Sequence, residues 1–237
     1  MRARRKKPRT TSAKVLQLGA APSPNDGLPL GRRLPLQSRS LKTCLRILDA
    51  ASSLLTRLPL DEVTTTRIAA EARISIGALY RFFPDKQTII DGIAVRHIGL
   101  FRSEVETTVI TPLLREMENL DSFDPAAVLD RMIDAYVAYL DAHPDFRTIS
   151  FGRHISAATK AREASPTTGL PAVLTTFLVD KLGIEFTPEL ELMLRVVSEA
   201  GERLIAFAYE QPTRAARDRV IAQTKKMLAG YLFGDVK

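Results

Sequence analysis

From Leu41 onward, apolar residues recur at three- and four-residue steps, the period of helices with one buried face. Leu41, Leu45, Leu48, Ala51, Leu55 and Leu58 make the first such face, over Ser38 to Leu58, and Pro59 stops it. Thr64, Thr65 and Thr66 then precede a short apolar run. A threonine there caps a helix, because its hydroxyl accepts from an otherwise unpaired backbone N–H. Ile68, Ala69 and Ala72 fall on one face of that short helix, and Ile74 lies in the turn that follows. Ser75 is placed to cap a second short helix, Gly77 to Phe83, which Pro84 ends because the residue before a proline is biased away from helical angles. Asp85 can cap a third helix, through Ile89, Ile90 and Ile93. On the second helix, Leu79 and Phe83 are expected inward. Ser75, Ile76, Gly77, Ala78, Tyr80 and Phe82 are expected outward or sideways.

The remaining pattern is also helical. Asp85 to about Glu118 carries Ile98, Phe101 and Val105, with a break or kink at Pro112 and a hinge conceivable near Gly92 or Gly99. Asp124-Pro125 opens a helix to about Ala142, with Leu129, Met132, Ile133, Tyr136, Val137 and Leu140 inward. Pro144 to Thr159 is expected to continue helically. A polar loop from Lys160 to Thr168 and a helix from Leu170 to Leu182, closed by Gly183, come next. Two long helices finish the chain, Thr187-Pro188 to Glu210 and Thr213 to about Phe233. No strand pattern and no internal repeat emerge, so the fold class is all-α.

Two helices of about two turns, joined by a three- or four-residue turn, match the helix-turn-helix unit, whose second helix enters the DNA major groove. The same spacing suits an ordinary core hairpin in which Tyr80 and Phe82 are packing residues. The stretch TTTRIAAEARISIGALYRFFPDK, Thr64 to Lys86, resembles the DNA-binding domain of the tetracycline-repressor (TetR) family, and the likeness covers about Leu41 to Ile93. The resemblance implies that Thr64 or Thr66 touches a phosphate. It implies that Ile76, Gly77 and Ala78 read bases, and that Ser75, Tyr80, Phe82 and Lys86 grip the DNA backbone. Two residues depart from the family pattern. Arg73 stands where glycine is frequent, so the turn is either mildly strained, at about 1–2 kcal/mol for a left-handed non-glycine residue, or shaped differently. Phe82 replaces a frequent histidine and cannot hydrogen-bond.

With an arm (1–37) set apart by its composition, the resemblance further implies a helix-turn-helix domain (38–95) and a helical domain (96–237). The last would bind a small-molecule effector and form a homodimer through the last two helices. Its effector-lining candidates are Phe101, Met132, Tyr136, Phe146, Phe151, His154, Phe177 and Glu199, with Arg153 or Arg195 available to an anionic ligand. Such aromatic and methionine lining suits a mid-sized apolar molecule. A dimer is expected on other grounds too: one short recognition helix reads too few base pairs, and two-fold proteins read palindromes. Ala200 and Gly201 would allow close approach at the two-fold axis.

Charge adds one point. The 237-residue chain has a formal net charge of +7, but residues 1–40 alone carry +9, residues 41–95 carry +1, and the remainder −3. The arm, with Arg2, Arg4, Arg5, Lys6, Lys7 and Arg9 followed by Pro22, Pro24, Pro29 and Pro35, is expected to be disordered, because it buries too little to offset its ordering entropy. It either tracks phosphates or merely solubilises. No apolar run approaches the roughly 20 residues of a membrane span, and the basic start lacks the apolar stretch of a secretory signal. Cys44, the single cysteine, excludes an internal disulfide and fits a reducing cytoplasm. His97, His143 and His154 make no metal pair at helical spacing, and no catalytic residue, metal or cofactor is expected. The expected function is therefore a ligand-responsive repressor that binds double-stranded DNA at a palindromic operator. The alternatives are a DNA-bound regulator without an effector, a non-specific architectural binder driven by the arm, and, with least support, a helical enzyme.

Overall fold

The computed structural model describes residues 38–116, 124–163, 174–175, 177–181 and 183–234. The arm expected over residues 1–37 lies outside them, as do residues 164–168 of the expected loop and part of the expected helix 170–182. Ten α-helices are labelled among the described residues, and there is no strand. They are α1 (Ser38–Leu55), α2 (Thr65–Glu71), α3 (Ile76–Phe82), α4 (Lys86–Val105), α5 (Thr111–Glu116), α6 (Pro125–Ala142), α7 (Pro144–Phe151), α8 (Ala157–Glu163), α9 (Pro188–Tyr209) and α10 (Arg214–Phe233). None is long and apolar enough to cross a membrane.

Local chemistry sets most starts. Thr64 caps α2 by accepting from the Arg67 N–H, and Ser75 caps α3 by accepting from the Ala78 N–H. Asp85, Asp124, Thr187 and Thr213 do the same for α4, α6, α9 and α10. Each such cap contributes about 1 kcal/mol. The expected glycine stop is also present: Gly183 has φ +68°, and the Ile184 N–H closes back onto the Leu178 carbonyl at 3.0 Å.

The turn between α2 and α3 takes the strained option. Arg73 adopts φ +54°, the left-handed conformation that glycine tolerates best. Arg73→Gly is accordingly expected to stabilise the fold by about 1 kcal/mol, read as a raised thermal midpoint with unchanged helical content.

Four expectations are corrected. α1 ends at Leu55, and residues 56–58 form a turn. Pro112 does not break its helix. α4 instead widens into a π turn, Glu106–Ile110, and continues as α5. A proline supplies no N–H and crowds the preceding turn; the wider turn ends just before it, with the Thr111 hydroxyl donating to the Glu106 carbonyl at 2.8 Å. The segment Pro144 to Thr159 is interrupted after Phe151, where Arg153 turns left-handed at φ +56° and the His154 N–H returns to the Ile149 carbonyl. A Cβ on Gly152 would collide with the His154 ring, so the corner depends on that glycine. Residues 160–163, expected in a loop, complete α8.

Gly92 is no hinge. It is buried in unbroken helix, and a Cβ there would lie 3.1 Å from a Leu48 methyl, so it lets α1 cross α4 closely. Ile47, Leu48, Ile68, Leu79, Phe83, Ile89 and Ile93 are almost wholly buried where α1 to α4 meet. The same continuous core runs through Leu140, Ile149, Phe177 and Leu194. Cys44 is buried within it, and that burial pushes its thiol pKa up, as fits a small apolar residue. α9 and α10 pack along each other. Lys225 fixes α10 to α6 by pairing with Asp130 at 3.0 Å and Asp134 at 2.8 Å.

Candidate nucleic-acid interface and effector cavity

α3 offers water the small face its sequence implies. Ser75 and Gly77 are exposed, Ile76 is 40% exposed, and Ala78 is half-buried. A Cβ added at Gly77 would meet nothing within 4 Å, so the chain itself leaves that space open. Tyr80 is 49% exposed, and its hydroxyl lies 3.0 Å from the Thr65 hydroxyl, fixing α3 against α2. Thr65, not singled out in the sequence, therefore belongs to the motif's geometry alongside the capping Thr64 and the exposed Thr66.

Phe82 is the correction on this face. It is 5% exposed, buried with Phe83 rather than turned outward, and the Arg81 guanidinium lies 5.3 Å from its ring centroid. Residue 82 follows Leu79 by three, which puts both on the packed side of so short a helix. Lys86 also serves the fold itself. Its ammonium donates to the Leu60 carbonyl at 2.9 Å, which still leaves N–H donors free. Arg67 and Arg57 are engaged with Glu62 and Glu71.

Between α4, α6, α7, α8, α9 and α10 lies a cavity of about 220 Å³. Phe101, Met132, Tyr136, Phe146 and Glu199 line it, in company with Ile98, Leu129, Ile155 and Leu194. Burial, reinforced by the nearby Glu202 charge, pushes the Tyr136 hydroxyl pKa up, so it stays protonated. The expected lining residues Phe151, His154, Phe177 and Arg195 are not among those at the wall. Phe151 packs on Tyr209, His154 lies in the α7–α8 corner, Phe177 is in the core, and Arg195 is exposed. Lys160 and Glu202, paired at 3.3 Å, and Glu163 line the wall but carried no signal in the sequence. Gly201 lines this cavity, and a Cβ added there would lie 3.4 Å from a Leu228 methyl.

Two polar clusters join the cavity helices to the motif. Gln87, in the first turn of α4, donates to the Asp91 carboxylate at 3.0 Å and to the His154 carbonyl at 2.8 Å. The same Asp91 oxygen accepts from the Ser156 N–H at 2.9 Å. Deeper, His97 Nε2 lies 2.9 Å from Asp145 Oδ2, and its Nδ1 lies 2.8 Å from the Tyr139 hydroxyl. Burial opposes ionisation of Asp145, but the hydrogen bond and charge of His97, with bonds from Ser52 and the Phe146 N–H, hold its carboxyl at about 2. His143 adjoins the pair, with burial and the His97 charge pushing its pKa down. Helical spacing could not reveal this cluster, because its central pair, His97 and Asp145, is 48 residues apart. It is a hydrogen-bond relay in which both His97 nitrogens are occupied, joining α1, α4, α6 and α7.

Comparison with known proteins finds two matching stretches. Residues 47–93 match the bacterial regulatory proteins of the tetR family, and residues 124–232 match the tetracyclin repressor-like C-terminal domain. A TetR-family transcriptional regulator from Streptomyces coelicolor superposes with a TM-score of 0.59 at 25% identity, over 80% of this chain and 97% of its own. A tetR family transcription regulator from Shewanella sp. PV-4 shares the fold at TM-score 0.56 and 14% identity, over 79% of this chain and 96% of its own. A comparison with curated proteins finds no match.

Proposed function

The chain belongs to the TetR family of transcriptional regulators, and from that premise we propose that it is a ligand-responsive repressor acting as a homodimer on a palindromic operator in the cytoplasm. One observation carries the reading: a capped, exposed α3 whose leading residues, Ile76, Gly77 and Ala78, leave room for base edges. Ser75, Tyr80 and Lys86, with Thr64 or Thr66, take the phosphates.

The 220 Å³ cavity would receive a mid-sized, mostly apolar effector. Its wall includes α7 and α8, which the Gln87–Asp91 cluster ties to the start of α4. Displacing α7 and α8 would thereby move α4 and reset the separation of the two recognition helices. The dimer forms on the exposed faces of α9 and α10, where Leu192, Val196, Phe207, Met227 and Tyr231 remain in water.

A binding titration on the DNA upstream of the protein's own gene, with competitor DNA at two salt concentrations, tests the DNA role. Competitor-resistant binding supports the operator reading; a steep salt slope with no sequence preference points instead to non-specific binding. For the effector, apolar compounds that raise the melting temperature are expected to lose that effect in Met132→Trp, which fills the cavity. Compounds that stabilise both proteins alike would place the binding elsewhere.

A further inference from the structure

We propose that base recognition by α3 rests on thymine methyl groups, with Ile76 as the residue that reads them. The inference deepens the operator reading and rests on it. The three residues that open α3, Ile76 to Ala78, carry no side-chain donor or acceptor for a base. Ile76 is hydrocarbon, Gly77 has no side chain, and Ala78 ends in one methyl. The Ser75 hydroxyl accepts from the Ala78 N–H as the helix cap, and its remaining donor is the one assigned above to a phosphate. The Tyr80 hydroxyl, 3.0 Å from that of Thr65, is likewise assigned above to a phosphate, and Arg81 stands at the far end of the helix rather than at its leading turn.

The forked pairings that distinguish guanine and adenine need Arg, Lys, Asn or Gln at such positions, and none is present at 76–78. Among the four bases, only thymine presents an apolar group, its C5-methyl, in the major groove. A 40% exposed isoleucine beside two residues of minimal bulk is complementary to that group. Gly77 and Ala78 let the helix come close enough for Ile76 to cover it. Ile76 is otherwise an unexplained exposed apolar side chain, since the core beneath α3 is already supplied by Leu79 and Phe82.

The test selects a binding site from random duplex DNA with the full-length protein. Symmetric pairs of thymines in the selected site are then replaced by deoxyuridine, which removes only the methyl. At least one pair is expected to weaken binding about fourfold per methyl, about fifteenfold for the pair. In Ile76→Ala, the loss at that pair should largely vanish; exposed Ile76 tolerates the change, which a melting curve checks. Gly77→Val, whose side chain finds open space in the free protein, should fold yet lose the site. Selected sites whose every thymine tolerates deoxyuridine, or a loss undiminished in Ile76→Ala, overturn the inference while the operator reading stands. Selection that enriches no sequence overturns both.

Discussion

Replacing Asp145 by alanine is expected to destabilise the protein by about 3–5 kcal/mol, the cost of leaving one member of a buried pair without its partner. His97 and Asp145 are both almost fully buried, and the carboxylate meets an imidazole nitrogen on α4, the Ser52 hydroxyl on α1 and the Phe146 N–H on its own helix. Urea unfolding followed by circular dichroism measures the loss; a change under about 1 kcal/mol would show that the relay contributes little. The same pair sets an acid limit. A carboxyl held at about 2, below its ordinary 3.8, contributes about 2 kcal/mol wherever it is ionised in both states. Because the folded value is depressed, that contribution is complete above about pH 4 and lost as pH falls through about 2. Asp145→Asn should retain part of the hydrogen bonding while removing this component of the acid dependence.

The double variant Phe207→Glu, Met227→Glu is expected to be a folded monomer with operator affinity reduced on the order of a hundredfold. The two side chains are 42% and 50% exposed on adjacent helices, so carboxylates there leave the intrachain core intact. In a dimer they would be buried as like charges without partners, which opposes association strongly. Separating the two recognition helices removes the effective concentration that linking them confers, worth roughly 10²–10⁴ in affinity by general experience. Analytical ultracentrifugation with a DNA titration reads both effects. A variant that remains dimeric would move the interface off α9 and α10.

What the sequence disclosed follows the range of the forces involved. Thr64, Ser75, Asp85, Asp124, Thr187 and Thr213 cap helices through bonds spanning two or three residues, so their roles were legible. The cavity was legible where a residue sits within one unbroken helix: Phe101 on α4, Met132 and Tyr136 on α6, Phe146 on α7 and Glu199 on α9. At the Gly152–Arg153 corner the phase of α7 is lost, and with it His154 as a wall residue. Phe82 was misplaced because a seven-residue helix is too short for its pattern to separate inside from outside. The His97–Asp145 relay depends on helices brought together by tertiary packing, and no local spacing encodes it.

The π turn Glu106–Ile110 has a consequence for chain length. An α-helix advances about 100° per residue, and a wide turn absorbs one residue beyond that schedule. Thr107 and Thr108 face water there, so substituting either changes little, and deleting one would restore the regular ladder while leaving the phase of α5 nearly unchanged. Leu113 would stay buried. A residue inserted into the regular part of α4, with no wide turn to absorb it, would instead rotate all that follows by about 100°. This helical run thus carries one residue more than its phase requires, and a single-codon deletion in the wide turn is the change of length it tolerates best.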